Sequence, residues 1–313
     1  MTATPIAVQV RAPGKINLAL RVGAPRPDGY HPLATVFQAV SLYEDVVATR
    51  ADGISLEIHG RGEDLPADAR NLAVRAATLL RETSGTSAGA HLNVTKQVPV
   101  AGGMAGGSAD AAATLLACDQ LWGTGLSRDE LAELAAELGA DVPFALTGMS
   151  AMGTGRGDLI TPVMSRGTYH WVLAVQDEGL STPEVFREHD HLQHWAEDLD
   201  DAPLPRLDDA VLAALLSGDP IQLSRQLGND LQDAALELRP ELGDVLAAAD
   251  RAGALAALVS GSGPTVAALA LDHAHAVSVA GVMRAAEVAG EILLVTGPVP
   301  GARVLEHVHS RRP

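Results

Sequence analysis

The chain is 313 residues long, carries a formal net charge of −17, and is 47% hydrophobic and 19% charged. The length predicts two domains, and the composition is ordinary for a soluble globular protein. The acidic balance argues against nucleic acid or an anionic membrane as a partner, so we expect neither. A phosphorylated small molecule would have to be held by local, directed groups.

The sequence also predicts a cytoplasmic protein. No apolar run reaches the ~18 residues of a membrane span, and the N-terminus lacks the charged-then-apolar pattern of a signal peptide. The single cysteine, Cys118, excludes an internal disulfide, and we expect it to be a small buried residue. For the oligomeric state, which the sequence does not fix, we expect a monomer or a weak homodimer.

The chain begins with predicted strands. Residues 7–22 predict a strand pair or one bent strand, in which apolar and polar residues alternate from Lys15 onward. The alternation places Lys15 and Asn17 on one face. A charge and an amide on an otherwise apolar strand are costly to bury unless they are used, although a solvated sheet face would also explain them.

An aromatic pair follows the turn at residues 26–29. Tyr30 and His31 could form a face for a flat ligand, or they could be a half-buried packing pair. Strands are predicted at residues 36–40 and 54–58, and then a helix that Asn71 caps and that ends near Gly85.

A glycine-rich loop organises the centre of the chain. A strand at residues 91–98 leads into a segment with four glycines in six residues, and a helix-forming run follows at once. Such a loop places free N–H groups and the positive end of a helix dipole together, which predicts a phosphate site. The spacing fits neither a Walker A loop nor a dinucleotide fingerprint, and a plain turn is the alternative.

The two lysines stand out among 22 basic residues, because the other twenty are arginine. A compact ammonium does things that a guanidinium cannot, so Lys15 and Lys96 become candidate functional residues. Lys96 interrupts a core-facing row near the end of its strand. It could lean over the glycine loop or extend to solvent.

Past the glycine loop, Ser127 opens a helix with a capping box that ends at Gly139, and Asp141 has the position of a helix N-cap. Residues 187–206 predict a solvated loop. Its His189, His191 and His194 could bind a metal, although neither a cysteine nor a rigid helix supports them. The remaining predicted elements are a strand at 169–175, helices at 208–217, 221–237 and 240–252, strands at 255–260 and 265–271, a helix at 274–289 and a strand at 291–297.

Three segments in order carry a family resemblance: residues 12–18, 99–111 and 259–264. Together they resemble the superfamily of galactokinase, homoserine kinase, mevalonate kinase and phosphomevalonate kinase, the GHMP kinases. The resemblance implies an α+β fold of two domains. Residues 1–165 would resemble the second domain of ribosomal protein S5 and carry the ATP loop, and residues 166–313 would form a ferredoxin-like domain that completes the substrate cleft.

Residues 26–31, 35–38 and 139–144 further resemble one branch of that superfamily. Its kinases phosphorylate the 2-hydroxyl of 4-diphosphocytidyl-2-C-methyl-D-erythritol in the non-mevalonate isoprenoid pathway. The resemblance implies ATP as co-substrate, Mg²⁺ as cofactor, and the 2-phosphate and ADP as products. There are two alternatives: a different small-molecule kinase of this fold, and a nucleotide-binding protein without catalysis.

The resemblance also implies roles for individual residues. Asp141 would be the base, and Lys15 would orient it and stabilise charge on the transferring group. The implied ATP-binding residues are Lys96, Pro99, Val100, Ala101, Gly102, Gly103, Met104, Ala105, Gly106, Gly107, Ser108 and Ala109. The implied substrate-binding residues are Asn17, Tyr30, His31, Phe186, Gly261, Ser262 and Gly263. Family loops have two consecutive serines where Ser108 and Ala109 stand here, followed by Asp110, so the metal ligands stay open.

Overall fold

A computed structural model describes residues 5–193, 195 and 204–309 of the chain. The strands are β1 (Ala7–Val22), β2 (Leu33–Ala51), β3 (Ile54–Gly60), β4 (Gly89–Lys96), β5 (Ser150–Thr154), β6 (Leu159–Pro162), β7 (Tyr169–Val175), β8 (Gly228–Asn229), β9 (Ala256–Val259), β10 (Val266–Ala270), β11 (Glu291–Gly297) and β12 (Arg303–Val308). The helices are α1 (Leu72–Ser84), α2 (Gly106–Trp122), α3 (Arg128–Leu138), α4 (Val142–Thr147), α5 (Thr182–Gln193), α6 (Asp209–Ser217), α7 (Pro220–Ser224), α8 (Gln232–Leu238), α9 (Glu241–Arg251) and α10 (His273–Ala285).

The strands form two sheets. The larger has the order β12-β1-β2-β4-β3, with β5 beside β2, β6 beside β5 and β8 beside β1. The smaller has the order β11-β7-β10-β9. The prediction of one bent strand at residues 7–22 is confirmed, because β1 is continuous and changes its register against β2 twice, between Pro13 and Lys15 and between Asn17 and Ala19.

Helices cover the sheets and bury three main apolar clusters. One cluster joins α1, α2 and α3 to the larger sheet, and it includes the buried Cys118. A second joins α8, α9 and α10 to the smaller sheet. The third contains residues of both sheets, such as Ile16 and Leu18 of β1 and Trp171 of β7. The two sheets therefore pack into one continuous body around the glycine loop.

The predicted start and end of α1 and the predicted start of α3 are confirmed. The Asn71 side chain accepts a hydrogen bond from the Ala73 N–H, and Gly85 ends α1 with a left-handed backbone. Ser127 and Glu130 form the predicted capping box of α3. These caps satisfy the N–H groups that the first turn of a helix leaves without partners.

The solvated loop predicted for residues 187–206 is wrong for its first part. Residues up to Gln193 belong to α5, which has Pro183 in its first turn and buries Val185 and His189. Proline is favoured at a helix start and one buried stripe suffices to hold a polar helix, so the acidic composition misled the prediction. His194 lies outside the described residues, and in the described part no group of three metal-binding side chains occurs.

The predicted division into residues 1–165 and 166–313 falls between β6 and β7. Two strands from the second part, β8 and β12, nevertheless pair with β1 in the larger sheet. The division stays a prediction. In the described ranges no helix is long and apolar enough to cross a membrane.

Candidate active site

A cavity of about 600 Å³ opens between the glycine loop, β1 and the turn after β9. Many of the predicted site residues line it: Lys15, Asn17, Lys96, Pro99, Val100, Ala101, Gly102, Gly103, Ala105, Gly106, Gly107, Ser108, Asp141, Phe186, Gly261 and Ser262. Residues from five distant parts of the sequence thus meet in one space. The size is within the range of ligand pockets.

Lys15 is held rigidly at the floor of this cavity. Its ammonium donates hydrogen bonds to Asn17 Oδ1 at 2.8 Å and to the Gly103 carbonyl at 2.7 Å. Asn17 is oriented in turn, because its Nδ2 donates to Thr35 Oγ1 at 2.8 Å. Burial lowers the pKa of Lys15, and the negative charge of Asp141 opposes part of that shift. The result is a buried cation with a fixed direction.

Asp141 stands at the N-cap position of α4, as predicted, but its side chain makes no capping hydrogen bond. The backbone there has φ −87° and ψ −9°, whereas a capping residue usually has an extended backbone. Its carboxylate lines the cavity that holds Lys15. The local sequence therefore favoured a cap, and the tertiary structure leaves the carboxylate available to a ligand.

The glycine loop approaches the turn after β9 very closely. Gly103 has φ +72°, and a Cβ atom there would lie 2.1 Å from the Ser260 carbonyl oxygen. Gly261 has φ +59°, and a Cβ atom there would lie 3.0 Å from Lys15 Nζ. A side chain at Gly103 would collide with that carbonyl, so only glycine fits there, and the space at Gly261 is tight. The α2 helix starts at Gly106 with no side-chain cap and no acidic residue in its first turn.

Lys96 lies under the loop in a buried ion cluster. Its ammonium contacts Glu44 Oε1 at 2.9 Å and also Asp110 Oδ2. The backbone N–H of Gln97 donates to the other oxygen of Glu44 at 2.9 Å. Asp110 therefore does not cap α2, and its Oδ1 atom is buried without a hydrogen-bond partner.

This cluster contains two carboxylates and one ammonium, and its pKa values reflect that imbalance. Burial and the charge of Asp110 raise the pKa of Glu44 to about 8, against the opposing effect of Lys96. Burial also raises the pKa of Asp110. Burial would lower the pKa of Lys96, but the two carboxylates outweigh it and raise that pKa. The positive charge of Lys96 therefore offsets the repulsion between the carboxylates of Glu44 and Asp110.

A second cavity of about 340 Å³ holds the predicted base-binding residues Tyr30 and His31. The His31 ring stacks directly on Phe186 of α5, with centroids 4.9 Å apart. Tyr30 is 55% exposed. Arg156, in the turn between β5 and β6, lies over the Tyr30 ring at 5.3 Å and lines both cavities. Aromatic surface is therefore available beside the larger cavity.

The His31 ring is fixed by a carboxylate from α5. Its Nε2 lies 2.7 Å from Asp190 Oδ1, and the indole N–H of Trp195 donates to the same oxygen at 2.7 Å. This contact joins the loop before β2 to α5, which packs with the smaller sheet.

Three predicted site residues do not line either cavity. Met104 and Ala109 are buried in apolar clusters, and Gly263 precedes Pro264 in the turn after β9. Met104 still supports the site, because its carbonyl accepts the Lys15 backbone N–H at 3.0 Å.

Sequence reasoning missed Thr35, Glu44, Arg156 and Asp190. Thr35 and Glu44 lie on β2 among other polar residues, such as Gln38, Ser41 and Asp45, so the sequence pattern did not single them out. Arg156 and Asp190 reach the site only through tertiary contacts, so no local pattern announced them.

The chain matches known kinases in sequence. Residues 71–149 match the GHMP kinases N terminal domain and residues 211–289 match GHMP kinases C terminal. It is 54% identical over 302 residues to the 4-diphosphocytidyl-2-C-methyl-D-erythritol kinase of Clavibacter michiganensis, covering 95% of this chain and 96% of that protein. The kinase of the same name from Streptomyces coelicolor is 53% identical over 303 residues, covering 96% of this chain and 100% of that protein.

The same relationship appears in solved structures. A crystal structure of 4-(cytidine 5'-diphospho)-2C-methyl-D-erythritol kinase has a TM-score of 0.74 at 33% identity, covering 92% of this chain and 98% of that chain. A homoserine kinase from Cytophaga hutchinsonii has a TM-score of 0.75 at 21% identity, covering 97% of this chain and 99% of that chain. That likeness concerns the fold alone. The expected α+β GHMP kinase fold is confirmed. This chain therefore belongs to the GHMP kinase family, in the branch of the 4-diphosphocytidyl-2-C-methyl-D-erythritol kinases.

Proposed function

We propose that this chain transfers the γ-phosphoryl group of ATP to the 2-hydroxyl of 4-diphosphocytidyl-2-C-methyl-D-erythritol, giving the 2-phosphate and ADP. The observation that carries the proposal is the shared cavity of Lys15, Asn17, Asp141 and the glycine loop. A phosphate cradle, a cation and a carboxylate in one space are what phosphoryl transfer to an alcohol requires.

ATP binds at the glycine loop in this proposal. The exposed N–H groups of the loop and of the first turn of α2 hold the triphosphate, and the helix dipole favours the negative charge. Lys96 is on this nucleotide side, under the loop. Because the chain as a whole is acidic, these directed groups must supply the attraction.

The acceptor hydroxyl lies at Asp141. As its oxygen bonds to the γ-phosphorus and the bond from the γ-phosphorus to the bridging oxygen of ADP breaks, Asp141 takes the hydroxyl proton. Lys15 lies at the same floor and stabilises the charge on the transferring group. Asn17 holds Lys15 in place through its 2.8 Å contact and faces the acceptor.

The cytosine end of the substrate lies at Tyr30, His31 and Phe186. Their rings offer stacking surface beside the cavity, and His31 offers a hydrogen-bonding edge. Gly261 and Ser262 line the part of the cleft near Lys15, where the transferred phosphate would pass.

The donor set fits a Mg²⁺ ion that is held mainly by the nucleotide. Mg²⁺ prefers oxygen ligands, keeps several waters and needs few protein groups beside phosphates. Ser108 offers a hydroxyl on the loop side of the cavity, whereas Asp110 is committed to Lys96. When bound, the ion would neutralise part of the triphosphate charge, and Ser108 would hold it.

The test measures ADP release in parallel with the cytidyl substrate, mevalonate and homoserine. We expect turnover with the cytidyl substrate only, because the other two acceptors have no group for the aromatic residues. Turnover with mevalonate or homoserine instead would identify another kinase of this fold. ATP binding without turnover of any acceptor would favour a nucleotide-binding protein without catalysis.

A further inference from the structure

The proposed substrate carries a diphosphate between its base and the hydroxyl that reacts, and no residue considered so far binds that group. The base end lies at the smaller cavity and the hydroxyl lies at Asp141 in the larger one, so the diphosphate must cross the boundary between them. A cation at this boundary would offset the charge of the diphosphate. The acidic chain gives no general attraction that could replace it.

Four cationic side chains line the larger cavity, and two of them, Lys15 and Lys96, are buried among protein partners. Lys15 is bound to Asn17 and Gly103, and Lys96 is enclosed by two carboxylates. Arg70 is paired with Asp68 at the far side of the glycine loop, beside α1. Among the described residues, Arg156 is the cation that lines both cavities.

We infer that Arg156 binds the diphosphate of the cytidyl substrate, an inference that rests on the proposed function. Its side chain is 48% exposed, so phosphate oxygens can reach it. A guanidinium presents a planar fork of N–H donors that matches phosphate oxygens in a way that an ammonium does not. The position over Tyr30 places that fork next to the surface proposed for the base.

The surrounding contacts with Asp158 and Tyr30 orient the guanidinium. Nε and Nη2 donate to the same oxygen of Asp158, at 3.3 Å and 3.1 Å, and the Arg156 backbone N–H donates to the other at 3.0 Å. The Nη1 group takes no part in this pairing. The Gly155 carbonyl accepts the Leu33 N–H at 2.7 Å, which fixes the turn to the start of β2.

The competing explanation is a structural one, in which Arg156 only pairs with Asp158 and packs on Tyr30. The two explanations differ in what they predict for cytidine and for cytidine 5'-diphosphate. If Arg156 binds the diphosphate, its substitution weakens the binding of cytidine 5'-diphosphate and leaves the binding of cytidine unchanged. A residue that merely supports Tyr30 affects both compounds alike.

The experiment compares the dissociation constants of both compounds, by calorimetry, for the wild type, Arg156→Lys and Arg156→Met. In the wild type we expect the diphosphate to bind more tightly than cytidine. Arg156→Met should weaken diphosphate binding roughly 10- to 100-fold and leave cytidine binding unchanged, since charge-assisted hydrogen bonds are lost. Arg156→Lys, which keeps the charge without the fork, should fall between the two.

Kinetics supply a second measurement. Arg156→Met should raise KM for the cytidyl substrate by a similar factor and leave KM for ATP unchanged. The matched control is Arg187→Met, because Arg187 is a 72% exposed arginine of α5 that pairs with Glu184 outside both cavities. It should change neither KM value.

Two results would overturn the inference. Unchanged dissociation constants for both compounds in Arg156→Met would reject a diphosphate contact, and an equal loss for both compounds would show a structural role through Tyr30. Either result leaves the proposed function standing if the wild type turns over the cytidyl substrate. If the wild type does not turn it over, the proposed function itself fails.

Discussion

The Lys96 ammonium lies 2.9 Å from Glu44 Oε1, and both side chains are buried beneath the glycine loop. Asp110 from the first turns of α2 completes the contact, so the cluster connects β2, the end of β4 and the start of α2. The loop is therefore held at both of its ends.

Glu44 should make stability depend on pH. Its pKa is about 8 in the folded protein and near 4.5 in an unfolded chain, so the folded state binds the extra proton between these values. Stability contributed by Glu44 is then fully present below about pH 4.5 and is lost as pH rises through about 8. We expect Tm of the wild type to fall between pH 5.5 and pH 8.5.

The comparison that isolates this effect is Glu44→Gln, which keeps the shape and removes the titration. Relative to the wild type, the Tm of Glu44→Gln should become higher as pH rises across that window. A Tm difference that does not vary with pH would show that Glu44 does not titrate there. Glu137→Gln on the exposed face of α3 is the control, with no expected trend.

Removal of the cation should be more damaging than removal of either acid. Lys96→Met leaves Glu44 and Asp110 buried side by side without a compensating charge, which typically costs about 3–5 kcal/mol in the free energy of unfolding. Denaturant unfolding measures this loss. The triple variant with Glu44→Gln and Asp110→Asn should recover much of the stability, and failure to recover it would contradict the charge argument.

Asp141→Asn should abolish turnover while the protein stays folded and still binds ATP. Loss of a general base typically costs about 10²- to 10⁴-fold in rate. Because the Asp141 side chain does not cap α4, Tm should be unchanged within about 2 °C. ADP release, nucleotide binding and thermal unfolding are the three measurements. Substantial residual turnover would reject Asp141 as the base.

Thr35→Val should lower activity through Asn17. Thr35 Oγ1 accepts from Asn17 Nδ2 and donates to the Ala19 carbonyl at 2.7 Å, so valine leaves two buried polar groups without partners. The cost is about 1–3 kcal/mol, and a misplaced Asn17 also releases Lys15. We expect kcat for the cytidyl substrate to fall about tenfold or more.

The matched variant is Thr35→Ser, which keeps the hydroxyl and removes only a methyl group. It should restore kcat to near the wild-type value. Equal kcat values for the serine and valine variants would show that the hydroxyl has no positioning role. The dissociation constant for ATP should stay unchanged in both.

Local sequence patterns predicted much of this fold, because such patterns depend only on a few neighbouring residues in the chain. The caps at Asn71 and Ser127 follow from adjacent residues, and the strand at residues 169–175 follows from a short, mostly apolar run. The β5–β6 hairpin and β12 were missed, since short strands gain their stability from the partner strand. Helix α5 was missed because an acidic composition hid its one buried stripe.

The sequence by itself determined the chemistry that is available: a glycine loop before a helix, two lysines among twenty arginines, and the paired Tyr30 and His31. Only the tertiary structure decided how these groups are used. The capping signal at Asp141 is local, whereas the exposure of its carboxylate to the cavity of Lys15 depends on how α4 and β1 pack. From the sequence, Lys96 is interpreted as a residue of the glycine loop. Its partners Glu44 and Asp110 lie 52 and 14 positions away in the chain. Contacts between such distant positions are decided by the fold.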